Sequence, residues 1–161
     1  MGTSRTLRYT ALGALALLAA LPVTTTGSRV ADAASRSATP ARSGAPQSTL
    51  DRVADFYGSY VDGLYDSGRS PLTHALRRHY LTADLRRDLA RWEATHHQDG
   101  VVRGEGVPVR WSVVYNDSGT GHTWSRVTLT WEDAEHRTRT SRLLVQSDLE
   151  TKLISGIETI T

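Results

Sequence analysis

A chain of 161 residues with 13 glycines, 5 prolines and no cysteine has room for one domain and a terminal extension. Without cysteine it has neither disulfides nor thiol catalysis nor a cysteine-borne lipid anchor. Its 19 basic and 17 acidic residues nearly cancel, which excludes the surplus of positive charge that nucleic-acid binding requires.

Arg5 and Arg8 precede an apolar run from Ala11 to Leu21 that is broken by Pro22. Ala31-Asp32-Ala33 then offers a small-x-small cleavage site, so residues 1–33 read as a secretory signal peptide cut near Ala33. The run falls short of the roughly 20 apolar residues of a membrane-spanning helix. Arg5 and Arg8 are not adjacent, which argues against twin-arginine export, and the missing cysteine argues against a lipoprotein. The expected product is secreted. Losing Arg5, Arg8, Arg29 and Asp32 leaves 16 charges of each sign, so the basic balance belongs to the leader. Residues 34–47 are Ala, Ser, Arg, Pro, Thr and Gly with a final Gln, without periodicity, the composition of a flexible linker.

A folded domain over 48–161 is expected to start at Ser48, an N-cap with Asp51 three residues on in capping-box spacing. Leu50, Val53, Ala54, Tyr57, Tyr60, Val61 and Leu64 then recur at helical spacing, with Asp51, Asp55, Asp62 and Asp66 as an acidic stripe opposite. Ser70-Pro71 opens a second helix whose expected buried side is Leu72, Ala75, Leu76, His79 and Tyr80. Thr82 caps a third, with Leu85, Leu89 and Trp92 inward and Arg86, Arg87 and Arg91 outward, placed to complement the acidic stripe.

After Gly106 the period becomes 2. Val107, Val109, Trp111, Val113 and Tyr115 alternate with polar residues, and Asn116 to Gly121 reads as a hairpin turn. Val127, Leu129 and Trp131 mark a returning strand, residues 136–147 a third, and Lys152 to Ile160 a fourth with a bulge at Gly156. Short connections imply an antiparallel meander. The fold class is therefore α+β: N-terminal helices packed on a curved four-stranded antiparallel sheet.

Phe56-Tyr57-x-x-Tyr60, Tyr80-Leu81-Thr82-x-x-Leu85, Trp111-x-Val113, Thr128-Leu129 and Leu153-Ile154-x-x-Ile157, in this element order, resemble the NTF2-like (cystatin-like cone) superfamily over about 48–161. The likeness is to small secreted bacterial members of unassigned activity. The resemblance implies a cone whose mouth can hold a small apolar ligand. In enzymatic relatives, isomerases and dehydratases, an acid or His works with one or two tyrosine hydroxyls inside it. The positions matching that pattern are Tyr57, Tyr60 and Asp99. No acid or His shares the inward parity of the strands, which weighs against proton transfer and favours a binding domain without catalysis. The ordinary alternative is that both tyrosines are core rings with bonded hydroxyls.

Arg110 and Arg126 have the outward parity of their strands and could meet an anionic envelope polymer. Trp111 and Trp131 share the apolar parity, whereas Trp124 has the polar one and would be an outward aromatic beside arginines, a mark of a partner or of self-association as a homodimer through the sheet. Asp117-Ser118-Gly119-Thr120 matches half of an aspartic-protease signature but occurs once and is explained as a turn. His96, His97 and Asp99 diverge near a helix end without a fourth ligand, and no nucleophile elbow, P-loop or dinucleotide fingerprint occurs. No metal and no cofactor is expected.

Overall fold

The computed structural model describes residues 42–160; the expected signal peptide and the linker up to residue 41 lie outside them. Helix α1 (Thr49–Ser67) is the element against which the rest packs. Ser48 caps it, its hydroxyl accepting the Asp51 N–H at 3.2 Å. The capping box does not close. The Asp51 carboxylate accepts instead from the Ala45 N–H at 2.8 Å, tying the preceding segment to the helix. Arg42 adds an ion pair to Asp55 at 2.7 Å and lies over the Trp111 ring at 5.0 Å. The last residues of the expected linker are thus held on α1. The buried stripe is Val53, Phe56, Tyr57, Tyr60, Val61 and Leu64, and each such side chain contributes on the order of 1.5–3 kcal/mol.

Helix α2 (Pro71–Tyr80) and helix α3 (Ala83–His96) follow. Leu76 and Tyr80 pack on the core as expected, but the buried side of α2 is rotated from the one read in the sequence. Thr73 is buried and Arg77 half-buried, whereas Leu72 is 53% exposed and His79 is exposed. Thr73 faces inward because its hydroxyl closes the first turn, accepting from the Ser70 N–H at 2.9 Å. Arg77, one turn later, follows it in. In α3, Leu85 and Leu89 are buried, and the Thr82 hydroxyl caps the Leu85 N–H at 3.2 Å. Arg87 and Arg91 pair with Asp84 and Asp88 of their own helix, not with the acidic stripe of α1.

Strands β1 (Arg110–Gly119), β2 (His122–Glu132), β3 (Thr138–Asp148) and β4 (Ile154–Ile160) form one antiparallel sheet in chain order. The hairpin expected over Asn116–Gly121 is tighter than its composition suggests. β1 runs on to Gly119 and only Thr120 and Gly121 turn, with φ of 50° and 79°, the doubly left-handed pair of a type I′ turn. Asn116 is instead an extra residue: Tyr115 pairs with Ser125 and Asp117 with Trp124. Near Gly156, Gln146 pairs with Gly156 but Ser147 with Ile154, so Ser155 is the bulged residue.

One face of the sheet carries Val127, Leu129, Trp131, Leu143, Val145 and Ile157, all buried against α1 and the loop residues Val101 and Val102. Thr128, Thr130, Arg126, Arg142 and Leu144 lie on the other face, where no described helix packs. The helix junction docks on β4: Leu81 bridges Ile154 in parallel, and the Thr82 N–H donates to the Ile154 carbonyl at 2.9 Å.

Candidate functional site

Tyr57 and Tyr60 project from the buried stripe of α1 and are 0% exposed, packed with Phe56. The chain after α3 turns back through Asp99–Gly104, closed by the Arg103 N–H on the Asp99 carbonyl at 2.8 Å. This return drops Asp99 beside Tyr60, whose hydroxyl donates to Oδ2 at 2.8 Å. Of the expected trio, Tyr60 and Asp99 therefore meet. Tyr57 stands apart and donates to the Val101 carbonyl at 3.3 Å.

The residue at the centre of this cluster is Arg77. Its Nε donates to the Tyr60 oxygen at 2.9 Å, one terminal nitrogen reaches Asp99 Oδ2 at 3.0 Å, and the pair of terminal nitrogens grips Glu93 at 2.6 and 3.1 Å. Glu93 also accepts the Gly100 N–H at 2.7 Å. The other Asp99 oxygen accepts the Val101 and Val102 N–H groups at 2.8 and 3.1 Å, and Arg69 approaches Oδ2 at 3.6 Å. A carboxylate offers about four lone-pair directions. Four hydrogen bonds fill them here, leaving Asp99 no free acceptor for a substrate proton.

The electrostatics agree. Burial first, and the Asp99 carboxylate second, push the Tyr57 and Tyr60 phenols far above their ordinary range, so neither gives up a proton near neutrality. Burial opposes the charge of Arg77, but its hydrogen bonds to Glu93 and the nearby Tyr60 and Asp99 outweigh it and hold the guanidinium charged. Burial likewise opposes ionised Glu93, and the bonds from Arg77 and Gly100 overcome it, holding its carboxyl below the usual range. Arg77 and Glu93 carry no motif. Their signal is position alone: Arg77 follows Thr73, and Glu93 follows Leu85 and Leu89, at four-residue steps, which puts charges on buried helix faces.

Space for a ligand lies elsewhere. Between the C-terminal half of α1 and the start of β1 runs an open groove of about 780 Å³, lined by Val61, Asp62, Tyr65, Val107, Val109 and Trp111 together with Arg110. A smaller hollow of about 300 Å³ touches Asp99 beside Arg69, Gln98 and Gly104, but neither it nor the groove is lined by Tyr57 or Tyr60. Trp111 is half-buried between the Arg42 guanidinium and the groove. Arg126 is exposed on the outer sheet face. Trp124 shares that face but is half-buried, over a hollow of about 30 Å³ beside Leu144 and Gln146. Among the described residues, no three His, Asp or Glu side chains are grouped to hold a metal ion, and no helix is long and apolar enough to cross a membrane.

No protein-family model matches the chain, and no curated protein does. The chain is similar to a solved structure of a protein of unknown function from Bacteroides thetaiotaomicron, at 17% identity and a TM-score of 0.57, over 68% of this chain and 88% of that one. At that identity the likeness concerns the fold: helices packed on an open, curved antiparallel sheet of four strands.

Proposed function

We propose that this chain is a secreted NTF2-like binding domain without catalytic activity, and that its ligand is a small, largely apolar molecule held in the groove between α1 and β1. The observation that carries this reading is the groove itself. About 780 Å³ lies within the range that accommodates drug-sized ligands, and its walls are mostly aliphatic and aromatic. Tyr65 and Val109 in its lining are 80% and 53% exposed, apolar surface open to water. Asp62 and Arg110 offer one charge of each sign to orient a polar end. The saturated Asp99 argues against the isomerase or dehydratase alternative built on Tyr57, Tyr60 and Asp99, because an acid that holds two backbone amides, a tyrosine and an arginine is committed to structure.

The test uses 8-anilinonaphthalene-1-sulfonate, an aromatic anion suited to an apolar groove whose lining includes an arginine. The folded protein is expected to bind it with enhanced fluorescence, and Tyr65→Asp and Val109→Asp to weaken binding at least tenfold while leaving the circular dichroism unchanged. Absence of binding, or binding indifferent to both substitutions, overturns the groove reading. Native mass spectrometry of protein from culture supernatant tests export and any retained ligand together; an uncleaved, cell-retained chain overturns the secreted assignment.

A further inference from the structure

The two edges of the sheet are treated differently. The β4 edge is occupied: Leu81 bridges Ile154, Thr82 donates to the Ile154 carbonyl, and Arg103 donates to the Ile157 carbonyl at 2.9 Å. The β1 edge is bare. Among the described residues, no group outside β2 and the strand itself bonds to the main chain of Arg110–Gly119. Exposed apolar side chains gather along it: Val109 at 53%, Val114 at 43% and Tyr115 at 55%, with Tyr65 at 80% beside them on α1. A long edge strand of this kind is a template for another strand, and neither proline nor lysine blocks its middle.

We infer that this edge pairs with the β1 edge of a second copy of the chain, antiparallel about a two-fold axis through Val113, to make one continuous eight-stranded sheet. The pattern on the strand selects both partner and register. Residues directly opposed in an antiparallel pair share a sheet face. On β1, Trp111, Val113 and Tyr115 share the helix-covered face, following their pairing with Leu129, Val127 and Ser125. Arg110, Ser112 and Val114 lie on the outer face, and the extra residue Asn116 brings Asp117, opposite Trp124, back to that same face. With Val113 facing Val113, Trp111 meets Tyr115 of the second copy and Ser112 meets Val114. With Asn116 passed over as the bulge, Arg110 meets Asp117. Each match occurs twice, as two-fold symmetry demands. Moving the axis to Ser112 sets Arg110 against Val114 and leaves both charges unmatched; moving it to Val114 sets Ser112 against the bulge. Only the Val113 axis satisfies face, charge and bulge together. The bulge thus sets the phase of the interface.

This inference goes beyond the groove reading and does not depend on it, although Arg110 and Trp111 contribute to both. It is tested by sedimentation velocity of the purified chain from about 1 to 200 μM, with three samples beside it. These are Arg110→Asp alone, Asp117→Arg alone, and an equimolar mixture of the two variants. The parent chain is expected to dimerise with a dissociation constant in the micromolar range. Each single variant is expected to bind itself at least tenfold more weakly, since each reversal turns two attractive cross-strand pairs into like-charge pairs. In the mixture each charge finds its opposite again, and dimer is expected to return to near the parent level. That recovery cannot come from a misfolded variant. A parent chain that stays monomeric at 200 μM overturns the inference, as does a dimer indifferent to both reversals or a mixture no tighter than its components. Binding of the naphthalene sulfonate is read on Asp117→Arg, whose position lies outside the groove lining, so loss of dimer with the groove intact is a distinct result.

Discussion

Replacing Arg77 with methionine removes the cation from a cluster in which it serves two carboxylates and a phenol. The Arg77 and Asp99 side chains are 12% and 8% exposed, and that of Glu93 is 15% exposed, so water cannot take the lost partner's place. Breaking a buried ion pair by removing one side costs roughly 3–5 kcal/mol, a large share of the roughly 6–18 kcal/mol expected for a domain of this length. Arg77→Lys keeps the charge but loses the fork that spans Glu93 and Asp99, and is expected to cost less than half as much. The loss must also depend on pH. Arg77 holds Glu93 below the usual carboxyl range. Its contribution is therefore complete above the unfolded value near pH 4.3 and fades as pH falls through the lower folded value. The gap between parent and methionine variant should narrow as pH falls from 7 to about 3.5. Urea unfolding followed by tryptophan fluorescence at both pH values measures this. A loss below about 1 kcal/mol at pH 7, or one that does not shrink in acid, refutes the account of Glu93 as a carboxylate held by Arg77.

Three further outcomes are expected. The fold favours the neutral forms of Tyr57 and Tyr60, a stabilisation complete below the ordinary phenol value near pH 10 and lost as pH rises past it. Absorbance at 295 nm should therefore show these two remaining un-ionised until the chain unfolds; full titration near pH 10 with native circular dichroism contradicts it. Gly104→Ala would place a Cβ 2.7 Å from the Trp131 ring, which is pinned by its Nε1–H on Ser141 at 2.9 Å, and should cost about 1–3 kcal/mol in denaturant titrations. Thr82→Ala removes the cap on Leu85 and should lower the melting temperature by about 3–6 °C; an unchanged melting curve argues against the cap.

The parts of the fold readable in advance are those where burial follows one strict period. Val127, Leu129 and Trp131 alternate without exception, and the sheet face could be read from them. Helix α2 misled because two inward positions, Thr73 and Arg77, are polar, the first satisfied within its own turn by Ser70 and the second by Glu93 and Asp99 further along the chain. Hydropathy then points to Leu72 and His79, which face water. Asn116 to Gly121 is a polar, glycine-rich run that reads as one turn, yet four of its residues continue β1, because a bulge and a turn share the same composition. The Tyr60–Asp99 meeting was half legible, since both residues stood out. Arg77, which joins them, did not: its role depends on the chain doubling back after α3.

Each strand pairs with its immediate successor in the chain, so the sheet can zip up one hairpin at a time with little loop to close. The helices pack on one another, yet the layer also takes a contact from far along the chain. Its junction at Leu81–Thr82 is latched by Ile154, in the last strand. Trimming the chain before Ile154 would therefore unlatch the helix junction as well as remove an edge strand, so β4 ties the end of the chain back to its helical layer.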